Sequence, residues 1–228
     1  MKLCVAMDLP TTKENLKLLE ELKSFNDIWV KVGFRSYIRD GKDLISNIKE
    51  INPNFKIFLD LKLYDIPNTM ADASEEIAKI GVDMFNIHAS AGEEAMRVVM
   101  ERLRGFRNRP LVLAVTALTS FDNDSFKKIY GADIDKKAKE FAISSYENGL
   151  DGVVCSAFES RMVKEITSKD FITLSPAIRP FREEAGDQKR VADLEFAKKN
   201  LVDFAVIGRP IYKSAYPKRV VEQILEKL

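Results

Sequence analysis

The sequence predicts a (β/α)8 barrel on three observations. Eight short apolar or β-branched runs are bounded by turn signals, segments with helical spacing lie between them, and charged residues gather at the carboxyl ends of the first three runs. Strands that alternate with helices read as parallel, because parallel neighbours need a crossover connection and the crossover is usually a helix.

The runs are LCVAMD (3–8), IWVKV (28–32), KIFLDLK (56–62), VDMFNIH (82–88), PLVLAVTAL (110–118), DGVVC (151–155), FITLS (171–175) and DFAVIG (203–208). Between them Leu16, Leu19 and Leu22, then Leu44, Ile48 and Ile51, then Ala73, Ile77 and Ile80 recur at helical intervals, with charges on the other positions. Gly81-Val82-Asp83, Gly149-Leu150-Asp151 and Leu201-Val202-Asp203 each precede an apolar run, and the two glycines stand where helix C′ caps are expected. The longest connection, about Thr119 to Leu150, carries a helical pattern of its own. No linker, low-complexity tract or shift in composition divides the chain, so one domain over residues 1–228 is expected. An open doubly wound sheet would show the same alternation, because counting strands does not establish closure.

The 36 Lys and Arg nearly balance the 35 Asp and Glu, leaving a net charge of +1. No global field favours nucleic acid or an anionic membrane, so any anion must be held locally. Cys4 and Cys155 lie inside apolar runs and read as small buried thiols, neither disulfide partners nor metal ligands. The opening MKLCVAMDLP has too short an apolar stretch for a signal peptide, and no later run approaches a membrane span. A cytoplasmic location is expected.

Alternate residues of a strand share a face. Parity sets Ile57, Leu59 and Leu61 against the helices and leaves Phe58, Asp60 and Lys62 facing the barrel interior. It likewise separates Leu3, Val5 and Met7 from Cys4, Ala6 and Asp8, and Ile28, Val30 and Val32 from Trp29 and Lys31. Asp8, Lys31, Asp60 and Lys62 then converge at the end where barrel enzymes build their sites. On one face Asp60 and Lys62 have Cα atoms roughly 6.5 to 7 Å apart, close enough for their side chains to meet. Acidic neighbours keep a lysine charged and ready to donate a proton, whereas a Schiff-base lysine must be neutral. A structural ion pair explains any single Asp–Lys pair equally well; four charged groups on three adjacent strands favour a functional site.

Further along, Gly208-Arg209 closes the eighth run before Pro210, a favourable first helical residue, so helix-start amides and a guanidinium are candidates to grip a phosphate. The polar segment PFREEAGDQKR (180–190) reads as a mobile loop suited to a lid. His88 is the single histidine and is read as a hydrogen-bonded strand-end residue in preference to a general base.

The stretch Asp60-Leu61-Lys62-Leu63-Tyr64-Asp65-Ile66-Pro67-Asn68-Thr69 closely resembles the signature of the orotidine 5′-monophosphate decarboxylase family. Asp8, Lys31 in WVKVG, Asn86-Ile87-His88-Ala89-Ser90, Thr119-Ser120, Ser175-Pro176-Ala177-Ile178-Arg179-Pro180, Gly186-Asp187-Gln188 and Val206-Ile207-Gly208-Arg209-Pro210 extend the likeness in order along the chain. The resemblance implies decarboxylation of orotidine 5′-monophosphate to uridine 5′-monophosphate, the last step of pyrimidine nucleotide synthesis, without cofactor or metal. It implies that Lys62 protonates C6 within an array of Lys31, Asp60, Lys62 and Asp65. Asp8 and Lys31 would bind ribose hydroxyls, and Thr119 the pyrimidine or its loop. Arg179 and Gln188 would contact phosphate or nucleotide, with Gly208 and Arg209 at the phosphate, and Asn68, Thr69 and Pro176 completing the substrate-binding set. Asp65 and Ile66 would come from the partner subunit of a homodimer with shared active sites.

Two positions depart from the family pattern. Ala91 stands where many relatives have glycine in HAxGG, and Ala177 replaces the glycine of the PGIRP loop. Each position must therefore either adopt ordinary backbone angles or carry strain. The nearest alternative is a Mg2+-dependent sugar-phosphate lyase or aldolase of the same barrel group, whose motif continues with Ala-Gly where this chain has Ile66-Pro67-Asn68-Thr69. A noncatalytic sensor of phosphoribosyl ligands is a second alternative, opposed by the retained Lys62.

Overall fold

A computed structural model describes residues 1–181 and 190–228. Eight parallel strands close on themselves: β1 (Lys2–Ala6), β2 (Trp29–Gly33), β3 (Lys56–Leu63), β4 (Met84–His88), β5 (Leu111–Val115), β6 (Gly152–Val154), β7 (Ile172–Ser175) and β8 (Phe204–Ile207). β8 pairs with β1 through Lys2–Phe204 to Val5–Ile207, which removes the open-sheet alternative. The helices are α1 (Thr12–Leu22), α2 (Phe34–Ile51), α3 (Pro67–Ile80), α4 (Glu93–Leu103), α5 (Asn123–Tyr130), α6 (Ile134–Glu147), α7 (Ala157–Ile166), α8 (Leu194–Lys199), α9 (Arg209–Tyr212) and α10 (Pro217–Leu225), with a 3-10 turn at Ala89–Ala91. Among the described residues no helix is long and apolar enough to cross a membrane.

Several strands are shorter than their apolar runs. Asp8 lies two residues beyond β1, and the 110–118 run leaves the sheet after Val115, so Thr116 to Leu118 belong to the mouth of the barrel. The long connection holds two helices, α5 and α6. Gly41 interrupts α2 with φ 60° and ψ −148°.

Alternation sorts the strands into two cores as parity requires. Leu3, Val5, Met7, Val30, Val32, Ile57 and Leu59 pack outward against the helices. Cys4, Ala6, Trp29, Phe58, Met84, Leu113, Leu174 and Phe204 fill the barrel, with Trp29 edge-on to Phe204 at 5.0 Å between ring centres. Both cysteines are buried free thiols.

The amino-terminal face carries a repeated polar device. Asp83, Asp151 and Asp203, each just before an even-numbered strand, accept the backbone N–H of Ile57, Val112 and Thr173 at 2.8 Å, each the second residue of the preceding strand. Each carboxylate also meets a cation: Lys56 at 2.8 Å, Arg109 at 2.6 and 2.8 Å, and the buried Lys164 at 2.8 Å. Each carboxylate thus joins two strands and is neutralised by its cation. The residue two before each aspartate is left-handed, with φ 84° at Gly81, 77° at Gly149 and 62° at Leu201. The first two are the expected glycine caps; the third meets the same geometric need with a leucine.

Because Asp151 holds both the Arg109 fork and the Val112 amide, Asp151→Ala is expected to lower the unfolding free energy by about 2 kcal/mol. Urea denaturation measures the loss, and the carboxyl ends of the strands, on the opposite face, should keep their arrangement in the folded variant.

Candidate active site

The carboxyl ends of the strands bring together the four charges anticipated from parity. Lys31 Nζ lies 3.2 Å from Asp8 Oδ1 and 3.3 Å from Asp60 Oδ2, while Lys62 Nζ lies 2.6 Å from Asp60 Oδ1. The result is an alternating chain, Asp8, Lys31, Asp60, Lys62, with no net charge. Gly33 makes room for it: a Cβ there would stand 2.9 Å from Lys31 Nζ and 3.1 Å from Asp8 Oδ1.

Burial alone would push Lys31 below the usual lysine value, but the carboxylates of Asp60 and Asp8 outweigh it and hold the ammonium above that value. Burial would likewise raise Asp60, yet Lys31 and Lys62, with hydrogen bonds from Lys62 and Asn86, hold its carboxyl below the usual range. Beneath the array the buried Cys4 thiol is driven upward by desolvation and stays protonated.

Lys62 reaches this position through an irregular backbone. Leu59 pairs with Phe85, but Leu63 pairs with Ile87, so β3 carries two extra residues against β4. Lys62 itself takes φ 47°, a left-handed angle uncommon for a side chain of this length. Its N–H donates to Asn86 Oδ1 at 2.7 Å. Parity therefore put Lys62 on the right side, while the chain uses a bulge to deliver it.

The array forms one wall of a cavity of about 280 Å³, bounded also by Val115, Val154, Leu174 and Val206. Asp8, Lys31, Asp60, Lys62, Thr119, Pro176, Arg179, Gly208 and Arg209 all line it. Asp65, Ile66, Asn68 and Thr69 are exposed and do not line it. Gln188 and most of the 180–190 segment lie outside the described residues. At the ends of that segment, Arg179 N–H donates to Ala192 O at 2.8 Å, and Ile178 bridges Ala192.

The two departures from the family pattern resolve differently. Ala91 ends the 3-10 turn, and the left-handed angle falls on Gly92, φ 96°. Ala177, on the cavity wall, takes φ 62° and accepts strain that a glycine would avoid. His88 ends β4 and bonds Ser90 Oγ at 2.6 Å through Nδ1, as a strand-end residue should. Burial, then the nearby Lys62 ammonium, lowers its pKa.

Three participants were given no role by the sequence reading, although Asn86 stood within the family match. Asn86 ties β4 to Asp60 and Lys62 of β3, Phe34 places its ring 5.5 Å from Lys62 Nζ, and Tyr212 lines the cavity. A polar residue within the apolar run MFNIH was the available signal for Asn86; nothing in sequence marks the other two.

Fold and site define a (β/α)8-barrel protein with a charged, half-apolar cavity at the carboxyl face, the location and build of a barrel enzyme's active site. The orotidine 5′-phosphate decarboxylase / HUMPS family matches residues 1–224, and the chain belongs to that family. The orotidine 5′-phosphate decarboxylase of Sulfurovum sp. (strain NBC37-1) is 67% identical over 226 residues, spanning 99% of this chain and 98% of its own. That of Sulfurimonas denitrificans is 64% identical over the full length of both chains. The crystal structure of orotidine 5′-phosphate decarboxylase from Lactobacillus acidophilus matches with a TM-score of 0.86 at 30% identity, over 99% of this chain and 98% of that one.

The charged array has a defined pH window. The raised Lys31 contributes stability that is complete below 10.5 and lost as pH rises through its folded value. The depressed Asp60 contributes stability complete above 3.8 and lost as pH falls through its folded value. The difference in urea stability between wild type and Asp60→Asn is therefore expected to stay constant from about pH 5 to about pH 9 and to shrink in stronger acid. A difference that changed through neutrality would mean that Asp60 titrates there.

Proposed function

We propose that this chain is a cytoplasmic, cofactor-independent orotidine 5′-phosphate decarboxylase that converts orotidine 5′-monophosphate to uridine 5′-monophosphate and CO2, with Lys62 as the proton donor. The observation that carries the reading is the alternating Asp8, Lys31, Asp60, Lys62 chain in a half-apolar cavity, with an ammonium held 2.6 Å from a largely buried carboxylate. The names of relatives up to 67% identical support the same reaction.

In the proposed step the bond from C6 to the carboxylate breaks, its electron pair stays on C6, and CO2 departs. The Lys62 ammonium stabilises the developing negative charge and then transfers a proton to C6, leaving a neutral amine that solvent reprotonates. The charge has little room to delocalise in the pyrimidine, so a fixed cation in apolar surroundings is worth more than the same cation in water. Asp60 fixes that cation, and Lys31 keeps Asp60 ionised. Arg179, Gly208 and Arg209 hold the phosphate at the β7 and β8 ends, where barrel phosphate sites commonly lie. Gln188 joins them. Asp8 and Lys31 take the ribose, and Thr119 and Pro176 the base. Binding energy from phosphate and ribose is then available to the transition state at C6.

The exposure of Asp65, Ile66, Asn68 and Thr69 fits a homodimer in which Asp65 and Ile66 complete the partner's site. Four large apolar side chains are exposed at the start of α2 and just after β3: Phe34, Ile38, Tyr64 and Ile66. Such a grouping marks a surface that is normally covered.

Two experiments test this reading. Purified protein incubated with orotidine 5′-monophosphate should extinguish the orotate absorbance, and should do so equally with EDTA present. Lys62→Ala should lose turnover by at least about 1,000-fold while still binding uridine 5′-monophosphate; near-normal turnover removes Lys62 from its role. For the dimer, light scattering should give twice the chain mass. Mixing inactive Lys62→Ala with inactive Asp65→Ala should restore about a quarter of wild-type activity, because half of randomly assorted dimers carry one intact site of two.

A further inference from the structure

We infer that Asn86 is a positioning residue for the Lys62 ammonium, acting on the backbone of Lys62 and the carboxylate of Asp60 at once. The inference rests on the reading of Lys62 as the proton donor and extends it to the feature that aims the donor.

Where β3 bulges, residues 60 to 62 stand against a single residue of β4, Asn86, between the Leu59–Phe85 and Leu63–Ile87 pairs. A bulge leaves ladder groups without their regular partners. Asn86 supplies what the ladder lacks: its Oδ1 accepts the Lys62 N–H at 2.7 Å, and its Nδ2 donates to Asp60 Oδ1 at 2.8 Å. The same Asp60 oxygen accepts from Lys62 Nζ at 2.6 Å. The contacts form a ring that leaves Lys62 by its main chain, passes through Asn86 and Asp60, and returns to Lys62 by its side chain.

The orientation of the amide is not free. A backbone N–H can only donate and an ionised carboxylate can only accept, so Oδ1 must face Lys62 and Nδ2 must face Asp60. Asn86 is fully buried, so its amide depends on these two partners and not on bulk solvent. Its two bonds therefore lock together the left-handed backbone that launches Lys62 and the carboxylate that ends its reach. An ammonium that must meet one carbon of a bound substrate needs both ends fixed, since small misplacements of a reacting group are costly.

The role demands an acceptor and a donor on one planar side chain, which makes Asn86→Asp the sharpest test. The substituted carboxylate still accepts from Lys62 N–H, but it faces Asp60 oxygen to oxygen unless one proton is shared. The charged groups it would meet are Asp60 and Lys62 on β3 and, through Asp60, Lys31 on β2. At neutral pH kcat is expected to fall about 100-fold while KM for orotidine 5′-monophosphate moves less than about threefold. On lowering the pH, kcat should recover about tenfold per unit, because protonation restores the donor, a limb that wild type lacks. Asn86→Ser, uncharged and smaller, should lose kcat without gaining that limb, and it carries the kcat test alone should Asn86→Asp fail to fold.

A residue that merely fills the bulge would lower the melting temperature and leave the pH profile alone. A kcat within about threefold of wild type in the folded variants, or an Asn86→Asp profile without the acid limb, overturns the inference. Lys62→Ala is assayed alongside. If it is inactive while the Asn86 variants are not, the positioning role alone fails; if it stays active, the proton-donor reading falls and this inference with it.

Discussion

A carboxylate buried among strands is tolerable only when cations and donors surround it, and the active face of this barrel is arranged around that requirement at Asp60. Lys31 approaches one oxygen, while Lys62 and Asn86 share the other. Removing either ammonium would leave a buried, underpaired charge, which costs far more than an ion pair at the surface contributes. The same need explains the glycine at position 33, where any side chain would occupy the space the Lys31 ammonium uses.

Strain is placed unevenly. Among the described residues, three non-glycine positions take positive φ: Lys62, Ala177 and Leu201. Leu201 sits on the amino-terminal face, where the connection before β8 needs a left-handed residue of the kind Gly81 and Gly149 provide before β4 and β6. Lys62 and Ala177 both line the cavity. Left-handed angles in L-residues cost of order 1–2 kcal/mol each and persist where surrounding contacts overdetermine them. At Lys62 those contacts are the Asn86 bond and the ion pair; at Ala177 they are the backbone bonds to Ala192.

The two faces of the barrel divide the polar work. On the amino-terminal face Asp83, Asp151 and Asp203 tie neighbouring strands together, each with its own cation and strand amide. These charges are spent on holding the strands in register. On the carboxyl face the charges are linked to one another and border an open cavity, which leaves them available to a ligand.

The sequence by itself determined the alternation of eight strands with helices and the gathering of four charges at one end of the strands, while closure into a barrel was decided by the pairing of β8 with β1. Period-two alternation in β1 to β3 was enough to place Asp8, Lys31, Asp60 and Lys62 together, because parity follows from chain geometry and needs no knowledge of the neighbours. The family likeness drew on these residues and on the stretches Asp65 to Thr69, Gly186 to Gln188 and Val206 to Pro210. Only the tertiary structure decided how Lys62 arrives. A bulge is a mismatch between two strands, so it belongs to the pairing of β3 with β4 and not to either segment alone, and Asn86 gains its partners only across that mismatch. The contrast between Ala91, which is relaxed, and Ala177, which is strained, was also decided in three dimensions. Gly92 absorbs the left-handed angle beside Ala91, whereas at Ala177 the angle falls on the alanine itself and the pairing of Ala177 and Arg179 with Ala192 holds it there.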